Sequence, residues 1–597
     1  MQSRNGREPT NQVIVIVDNG QTDRLTKFTG CERTIRADRP DEMGAALAAI
    51  EAAVASGRTV AGFASYELGY LLEPRLLPLL PRHRSVPLLL FGVFERAEVH
   101  ASGAAFLETQ LRGRAYAGPL AHEWDETAYD VRFRRVHALI AAGDIYQANL
   151  SLRSRFAFAG DSLALYASLR RRSGAAHCAY LDDGERQILS LSPELFFAVS
   201  PERRITAKPM KGTAARGHDT VSDAAARAHL RASDKERAEN LMIVDLLRND
   251  IGRIAKIGTV AVDELFAIET YPTVHQMVST ITAELKPNVA APDILRALFP
   301  CGSITGAPKI RAMEIIRELE SSARGVYCGA IGYFAPDGSA EFNVAIRTLT
   351  IANGRGELGI GGAVVHDSRA AFEYAECLLK ARYYETARQP LELIETLRWS
   401  PEDGFARQPR HLARMSASAD VFGIPFDETA ARHALADAVA NATATQRVRL
   451  TLAENGQFAA AAQPLRPAAE KWRYTISPIR VSSADLLQNH KTSWRELYEA
   501  EYARAAALGC DEVLFLNERG ELTEGSRSNL FLQIDGRLVT PAASCGLLPG
   551  CLRQELIESR DCSEGILLES DLRTARAVYL GNSLRGLIPA KPGTKDS

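Results

Sequence analysis

Three lysines and a set of glutamates stand where their types and spacing could do chemistry. Glu239 shares a helical stripe with Met242, Ile243 and Leu246, so its carboxylate runs along an apolar face. A carboxylate taken out of water needs a cation or a donor. Glu373, Glu376 and Lys380 fall at i, i+3 and i+7 on one face of a second helix. Three converging glutamates would suit a hard, oxygen-seeking Mg²⁺, although spacing alone favours a solvated ion-pair stripe. Glu194 follows a proline at the start of the apolar run in SPELFF, and Lys211 stands beside Gly212 and Thr213 in KPMKGT. The ordinary reading of such a lysine is a surface residue. Far along the chain, Lys491 precedes a helix, Glu524 follows a strand and turn, and Pro549-Gly550 opens another helix. Free N–H groups at that helix start would suit a phosphate. An amine for an aldehyde, an acid for a pyridine nitrogen and a phosphate cradle are what pyridoxal phosphate requires. Each of the three also has a bland reading.

The elements that must position these groups are legible in the pattern. Ser233-Asp-Lys-Glu236 is a capping-box start for a helix reaching about Arg248, and the second acidic helix spans about 369–386. GVYCGAIGYF and AEFNVAIRTLTI flank Pro336-Asp337-Gly338-Ser339, which predicts an antiparallel hairpin. In its second strand Phe342, Val344 and Ile346 take one face, and Asn343, Ala345 and Arg347 the other. Asn455-Gly456 and Asp535-Gly536 predict two further hairpin turns. PCGSITGAPKIRAMEII has its glycines one residue too close for a phosphate loop, and Pro308 precedes Lys309. It is not read as an ATP site.

The 597 residues are too many for one core. Pro390, Pro401, Gly404 and Pro409 mark a seam near 390 between two mixed helix–strand parts. Lys plus Arg number 71 against 73 Asp plus Glu, a balance that gives no reason to expect nucleic acid or an anionic membrane. The nine cysteines form no C-x-x-C or Cys/His cluster, which argues against structural zinc and for a reducing cytoplasm. The polar start MQSRNGREPTNQ lacks a signal-peptide core, and no stretch reaches the ~18 apolar residues of a membrane span.

Nine motifs occur in order over about 130–385: GDIYQANLSLR, SPELFF, KPMKGT, DKERAENLMIVDLLRNDIGR, GSITGAPKIRAMEII, RGVYCGAIGY, FNVAIRTL, GIGGAVVHDS and EYAECLLKAR. Together they resemble the chorismate-utilising enzymes, which include anthranilate, aminodeoxychorismate, isochorismate and salicylate synthases. Positions 1–130 match more weakly. The resemblance implies that Glu239, Glu373 and Glu376 bind Mg²⁺, against the ion-pair reading, and that Glu194 is the acid protonating the C4 hydroxyl of chorismate. It places Tyr327, Arg347 and Lys380 at the substrate carboxylates, with Thr213, His275, Gly361 and Gly362 lining the pocket. Ala148 stands where water-adding members carry a base lysine, which argues against isochorismate and salicylate synthases. Lys211 stands where anthranilate synthases have alanine, which resembles the aminodeoxychorismate synthases. In those the lysine is taken to attack C2 covalently before ammonia adds at C4, so its amine must be neutral. No cysteine sits in an amidotransferase elbow, so ammonia is expected from a partner glutamine amidotransferase subunit in trans or from solution.

In the second part ETLRW, RHLARM, Lys491, LTEGSRSNLF, GLLPGCLR and GNSLRGL resemble the fold-type IV pyridoxal-phosphate enzymes: branched-chain and D-amino-acid aminotransferases and aminodeoxychorismate lyase. By that resemblance Lys491 carries the cofactor, Glu524 pairs with its pyridine nitrogen and Arg414 contacts its phosphate. Ser526 and Asn529 lie in the cofactor loop, and Gly550, Cys551 and Leu552 supply phosphate-binding backbone. Asn582, Ser583 and Arg585 fall on the substrate side.

The expected fold is α+β. A chorismate-utilising domain of large antiparallel sheets flanked by helices (1–388, core 130–385) precedes a fold-type IV domain (389–597). The latter divides into a small subdomain at about 392–480 and a large one at about 485–597, which resembles enzymes that dimerise around the cofactor. The motifs do not separate lyase from transaminase; the product of the first part is the lyase's substrate, which favours the lyase. The expected function is therefore bifunctional synthesis of 4-aminobenzoate from chorismate and ammonia. The rivals are an anthranilate-type synthase joined to an aminotransferase, or a synthase with a non-catalytic docking module.

Overall fold

The computed structural model describes residues 13–271, 274–467 and 469–593. The polar segment MQSRNGREPTNQ lies outside them. The chain forms two compact units: residues 1–110, 119–156 and 166–387, and residues 111–118, 157–165 and 388–597. The second unit thus takes two short pieces from the N-terminal half of the sequence.

In the first unit a hydrogen-bonded run of antiparallel strands passes from Thr348–Ala352 through Gln187–Ser192, His177–Asp182, Ile14–Asn19 and Arg24–Ala37. It continues through Leu89–His100, Thr59–Ala64, Ala330–Phe334, Ala340–Val344, Leu195–Val199 and Arg204–Lys208 to Val274–Glu284. Phe196, Phe197 and Phe342 from these strands pack with Ile50, Ile243, Leu247, Leu295 and Leu298 from helices in one buried core. The predicted hairpin forms in the register Ala330↔Val344 to Phe334↔Ala340. Its second strand ends at Val344, however, and the alternation does not carry to Arg347. Ile346 N–H turns back to the Val344 carbonyl, and Arg347 adopts a left-handed φ of 49° before Thr348–Ala352 begins a separate strand.

The first acidic helix is Asp234–Gly252, and the second is Ala370–Glu385. Ser233 caps the first by accepting from Glu236 N–H at 3.4 Å. The reciprocal capping-box bond is not made among the described residues. The Glu236 carboxylate instead lies against Gly212, where an added Cβ would come within 2.8 Å of Oε2.

The second unit has a small sheet in which Leu393–Ser400 pairs with Gln446–Leu452 and that strand with Phe458–Pro464, across the predicted Asn455-Gly456 turn. The helices Gln408–Phe422 and Glu428–Val439 join its apolar face in a core containing Leu397, Val448, Leu450, Leu412, Met415 and Leu435. The piece from 111–118 places Tyr116 in this same core. A larger mixed sheet orders Leu522–Gly525, Glu512–Asn517, Trp472–Val481, Gly586–Pro592, Ala577–Asn582 and Asn529–Ile534 side by side. The pair Glu524↔Asn529 closes these strands into a ring. The Asp535-Gly536 turn joins Asn529–Ile534 to Arg537–Pro541, with φ of 48° and 78°. No helix among the described residues is long and apolar enough to cross a membrane.

Candidate active sites

The first constellation gathers on the first unit's acidic helices and two strands. Glu194 immediately precedes Leu195–Val199; its backbone N–H rests on Ser192 Oγ and its carbonyl accepts from Val344. The side chain is only 4% exposed, and Ser303 Oγ donates to it at 2.7 Å. Burial pushes its carboxyl up to about 7, against the pull of that hydroxyl and of Lys211. Lys211, on Met210–Ala215, is pushed down by burial, with Glu239, Glu194 and Glu376 opposing and Lys380 assisting. Each group thus moves toward its neutral form.

Glu239, Glu373 and Glu376 are drawn into one field with Lys211, Lys235 and Lys380. Burial raises Glu239 and Glu373 above the usual carboxylate range. Burial acts on Glu376 in the same sense, but Lys380 at 2.9 Å holds it below that range. Ser368 Oγ orients Glu373 at 2.7 Å, and Lys380 also donates to the Gly361 carbonyl at 2.8 Å. At Gly362 a Cβ would stand 3.4 Å from Glu373 Oε2 and 3.6 Å from Lys380 Nζ. Glu376 is exposed and already pairs with Lys380, and Lys235 lies 3.9 Å from Glu239, so the ion pairs that spacing favours are present. The carboxylates that burial raises, the oxygen-only donors and the glycine-cleared floor also fit a hard divalent ion. Glu236, read in the sequence only as a cap, joins this field and is raised by burial as well; its signal was the i, i+3 spacing to Glu239.

Tyr327 lies under the Arg153 guanidinium at 5.1 Å, and Gly359 must be glycine because a Cβ there would come 2.2 Å from the Tyr327 ring. At Gly361 the added Cβ would meet Ser151 Oγ at 2.4 Å. Arg347 has no carboxylate partner among the described residues, and burial holds its guanidinium below its ordinary value. Such a cation is suited to a small anion. Thr213 and His275 have hydrogen-bond partners within the protein. Thr213 Oγ1 donates to Gln276 at 3.1 Å. His275 spends one ring nitrogen on Thr270 at 3.0 Å and the other on Asp223 at 2.9 Å. Lys309, the lysine of the rejected phosphate loop, is bound to Asp250 at 2.6 Å.

The second constellation lies wholly in the second unit. The Lys491 carbonyl accepts from Ile394 N–H at 2.8 Å, which ties the lysine to the Leu393–Ser400 strand. Burial pushes its amine down to about 8, and the nearby Arg414 adds to this. Glu524 is pushed up to about 7 by burial while accepting from Leu548 N–H at 3.1 Å. Tyr498 Oη and Asn529 Nδ2 both lie 3.4 Å from its carboxylate. Gly550 caps the helix Cys551–Glu558. A Cβ on Gly550 would fall 1.9 Å from Asn529 Oδ1, so the loop and the helix start are fitted to each other. Arg414 reaches the same place, donating from Nη1 to the Pro549 carbonyl at 3.0 Å. The buried amine, the neutral-leaning acid and the open helix start with its arginine fit pyridoxal phosphate.

The remaining predicted side chains of this unit are held by partners of their own or buried. Ser526 donates its hydroxyl and its N–H to the buried Glu512, which also accepts from Arg527 N–H and Ser528 Oγ. Asn582 shapes a turn, accepting from Leu584 and Arg585 N–H at 3.1 Å. Arg585 donates to the Arg466 carbonyl at 2.9 Å. Cys551 and Leu552 are buried, and Cys551 is pushed up to about 11 by burial. Ser583 is bonded to His411, and His411 to Glu395, neither of which the sequence had marked for a role. Exposed Arg447 and Arg449 share a strand and, in the register Arg398↔Arg447, stand with Arg398 on one sheet face. Their alternation with Val448 and Leu450 was the available signal.

The sequence model of the family described as chorismate binding enzyme matches residues 12–385. The chain belongs to that family. The model described as amino-transferase class IV matches residues 392–592, so the family's domain is fused here to a class IV aminotransferase domain. Aminodeoxychorismate synthase component 1 of Klebsiella aerogenes is 45% identical over 276 residues, 46% of this chain and 61% of that protein. The protein of the same name from Escherichia coli (strain K12) is 44% identical over the same length, again covering 46% and 61%. The chain thus spans about three fifths of the curated relatives it matches. Among solved structures, anthranilate synthase component I from Streptococcus pneumoniae TIGR4 superposes with a TM-score of 0.52 at 26% identity, over 60% of this chain and 91% of that one. The large antiparallel architecture expected of a chorismate binding enzyme is therefore present.

Proposed function

We propose that the chain makes 4-aminobenzoate, a folate precursor, by consecutive reactions in its two units. Chorismate and ammonia first give 4-amino-4-deoxychorismate, from which pyruvate is then eliminated. The mutual influence of Lys211 and Glu194 carries this reading: a lysine and a carboxylic acid each feel the other's charge, and burial displaces each toward its neutral form. The 44–45% identity to proteins named aminodeoxychorismate synthase component 1 supports it.

Glu194, protonated, gives its proton to the departing C4 hydroxyl, which leaves as water. The Lys211 lone pair forms a bond to C2, both ring double bonds shift one place round the ring toward C4, and the C4–O bond breaks. Ammonia then bonds at C4, both double bonds shift back, and the electron pair of the Lys211–C2 bond leaves with the amine. Arg347, Lys380 and Tyr327 hold the substrate carboxylates. A Mg²⁺ held by Glu239, Glu373 and Glu376 would neutralise further carboxylate charge. Ammonia comes from a glutamine amidotransferase partner in trans or from solution.

In the second unit Arg414 and the backbone of Gly550, Cys551 and Leu552 hold a phosphate, and Glu524 holds a proton at the pyridine nitrogen. Pyridoxal phosphate bound there supplies the sink for the electron pair left at C4. Lys491 takes the C4 proton, the C3–O bond breaks, and the departing enolpyruvate gains a proton to become pyruvate as the ring turns aromatic. Nine free thiols fit a cytoplasmic setting, and the second unit would pair with a second copy of the chain.

Chorismate, Mg²⁺, ammonium and pyridoxal phosphate supplied to the protein should yield 4-aminobenzoate and pyruvate in equal amounts. Anthranilate as the main product would sink the first assignment. Accumulated aminodeoxychorismate with no 4-aminobenzoate would sink the second and favour an aminotransferase or a docking module.

A further inference from the structure

Two of the predicted site residues of the second unit, Arg414 and Ser583, are joined by a buried polar pair with no role assigned so far, Glu395 and His411. Glu395 lies on Leu393–Ser400 and is 1% exposed. Both its oxygens are spent on Arg414, accepting from Nε at 2.8 Å and from Nη2 at 2.6 Å. Its Oε2 also lies 2.6 Å from His411 Nδ1, and His411 Nε2 lies 2.7 Å from Ser583 Oγ. A carboxylate only accepts, so Nδ1 carries a proton, and in the neutral ring Nε2 must accept from the Ser583 hydroxyl. Glu395 and His411 belong to the small sheet and its helix, whereas Ser583 follows a strand of the large sheet. Arg414 is thereby left with Nη1 directed to the Pro549 carbonyl, one residue before the Gly550 cap.

We propose that Glu395 and His411 are positioning residues for a phosphate-bearing ligand. They clamp the Arg414 guanidinium flat toward the Cys551–Glu558 helix start and pin the Ser583 hydroxyl, so that groups from both sheets present one fixed surface. The proposal rests on the cofactor reading above. Charge alone predicts the opposite of clamping, since a glutamate beside an arginine weakens that arginine's pull on an anion. An uncompensated guanidinium would attract phosphate more strongly but would not be aimed.

The sign of one measurement therefore decides. Cofactor-free full-length protein is titrated calorimetrically with inorganic phosphate, pyridoxal 5′-phosphate and pyridoxal, comparing the wild type with Glu395→Gln and Glu395→Asp. Glu395→Asp keeps the charge and shortens only the reach, so it tests the clamp even where the glutamine variant fails to fold. Clamping predicts that both variants lose phosphate and pyridoxal-phosphate affinity by about 10- to 100-fold, the worth of a hydrogen bond to a charged group. Pyridoxal, which lacks the phosphate, should bind within about twofold of wild type on the same grounds. Unchanged or tighter phosphate binding overturns the proposal. Equal losses for all three ligands also overturn it, because they mark general damage to the fold. A wild-type protein that binds neither phosphate compound removes the cofactor reading and this proposal together; a binding wild type with unaffected variants removes only the clamp.

Discussion

Glu194 and Lys211 act, on the proposed chemistry, in the forms that burial favours. Glu194 with a pKa of about 7 gives its proton readily below that value and is ionised above it. The first reaction, followed by loss of chorismate in the presence of ammonium, should therefore slow about tenfold per pH unit above roughly 7 on the acid limb. Glu194→Gln should lose about 10²- to 10⁴-fold in kcat and flatten that limb; an unchanged profile would remove Glu194 from its role. Lys211→Ala should abolish the first reaction while leaving added aminodeoxychorismate convertible to 4-aminobenzoate. Lys491→Ala should do the reverse: the absorbance of bound cofactor near the lysine disappears and aminodeoxychorismate accumulates. Full synthase activity in the first variant, or unchanged colour in the second, would refute these roles. Most of these residues were legible because each sits in a compact sequence motif. Glu395 and His411 were not, although ETLRW and RHLARM contain them, because a buried carboxylate's partners come from separate stretches of chain.

At the scale of elements, short local rules were readable and long-range ones were not. Asn455-Gly456 and Asp535-Gly536 announced their hairpins because the positive φ that Gly456, Asp535 and Gly536 adopt is favoured by those residue types themselves. The break after Val344 was invisible, since alternation continues through Arg347 in the sequence while the strand does not. The half-formed capping box has the same cause. Glu236 has the right spacing to cap its helix, but its carboxylate lies in the field of Lys211 and the other glutamates. Gly550 joins two elements through a contact no pattern shows. Gly550→Ala should push Asn529 out of place and cost about 1–3 kcal/mol by overpacking, together with loss of cofactor affinity. Thermal melting and a pyridoxal-phosphate titration measure both; normal cofactor binding in this variant would show that the cradle tolerates a side chain.

For the whole molecule, the sequence placed its seam near 390 from proline and glycine punctuation, and that seam lies between the stretches matched by the two family models. What punctuation could not reveal is the course of the chain at 111–118 and 157–165, where Ala115–Ala117 pairs with the end of Gln147–Gly160. Arg114 donates to Asp485 at 2.9 Å, Tyr116 Oη to Glu454 at 3.1 Å, and Tyr116 packs edge-on to Phe422. The two units are therefore not beads that a cut in the string would part. A protease nick near 390 would leave those strands inside the second unit while they remain covalently attached to the first. The nicked protein should elute from a sizing column as one species until denaturant is added. For the same reason, a gene encoding only the C-terminal stretch would have to find substitutes for two strands it does not specify.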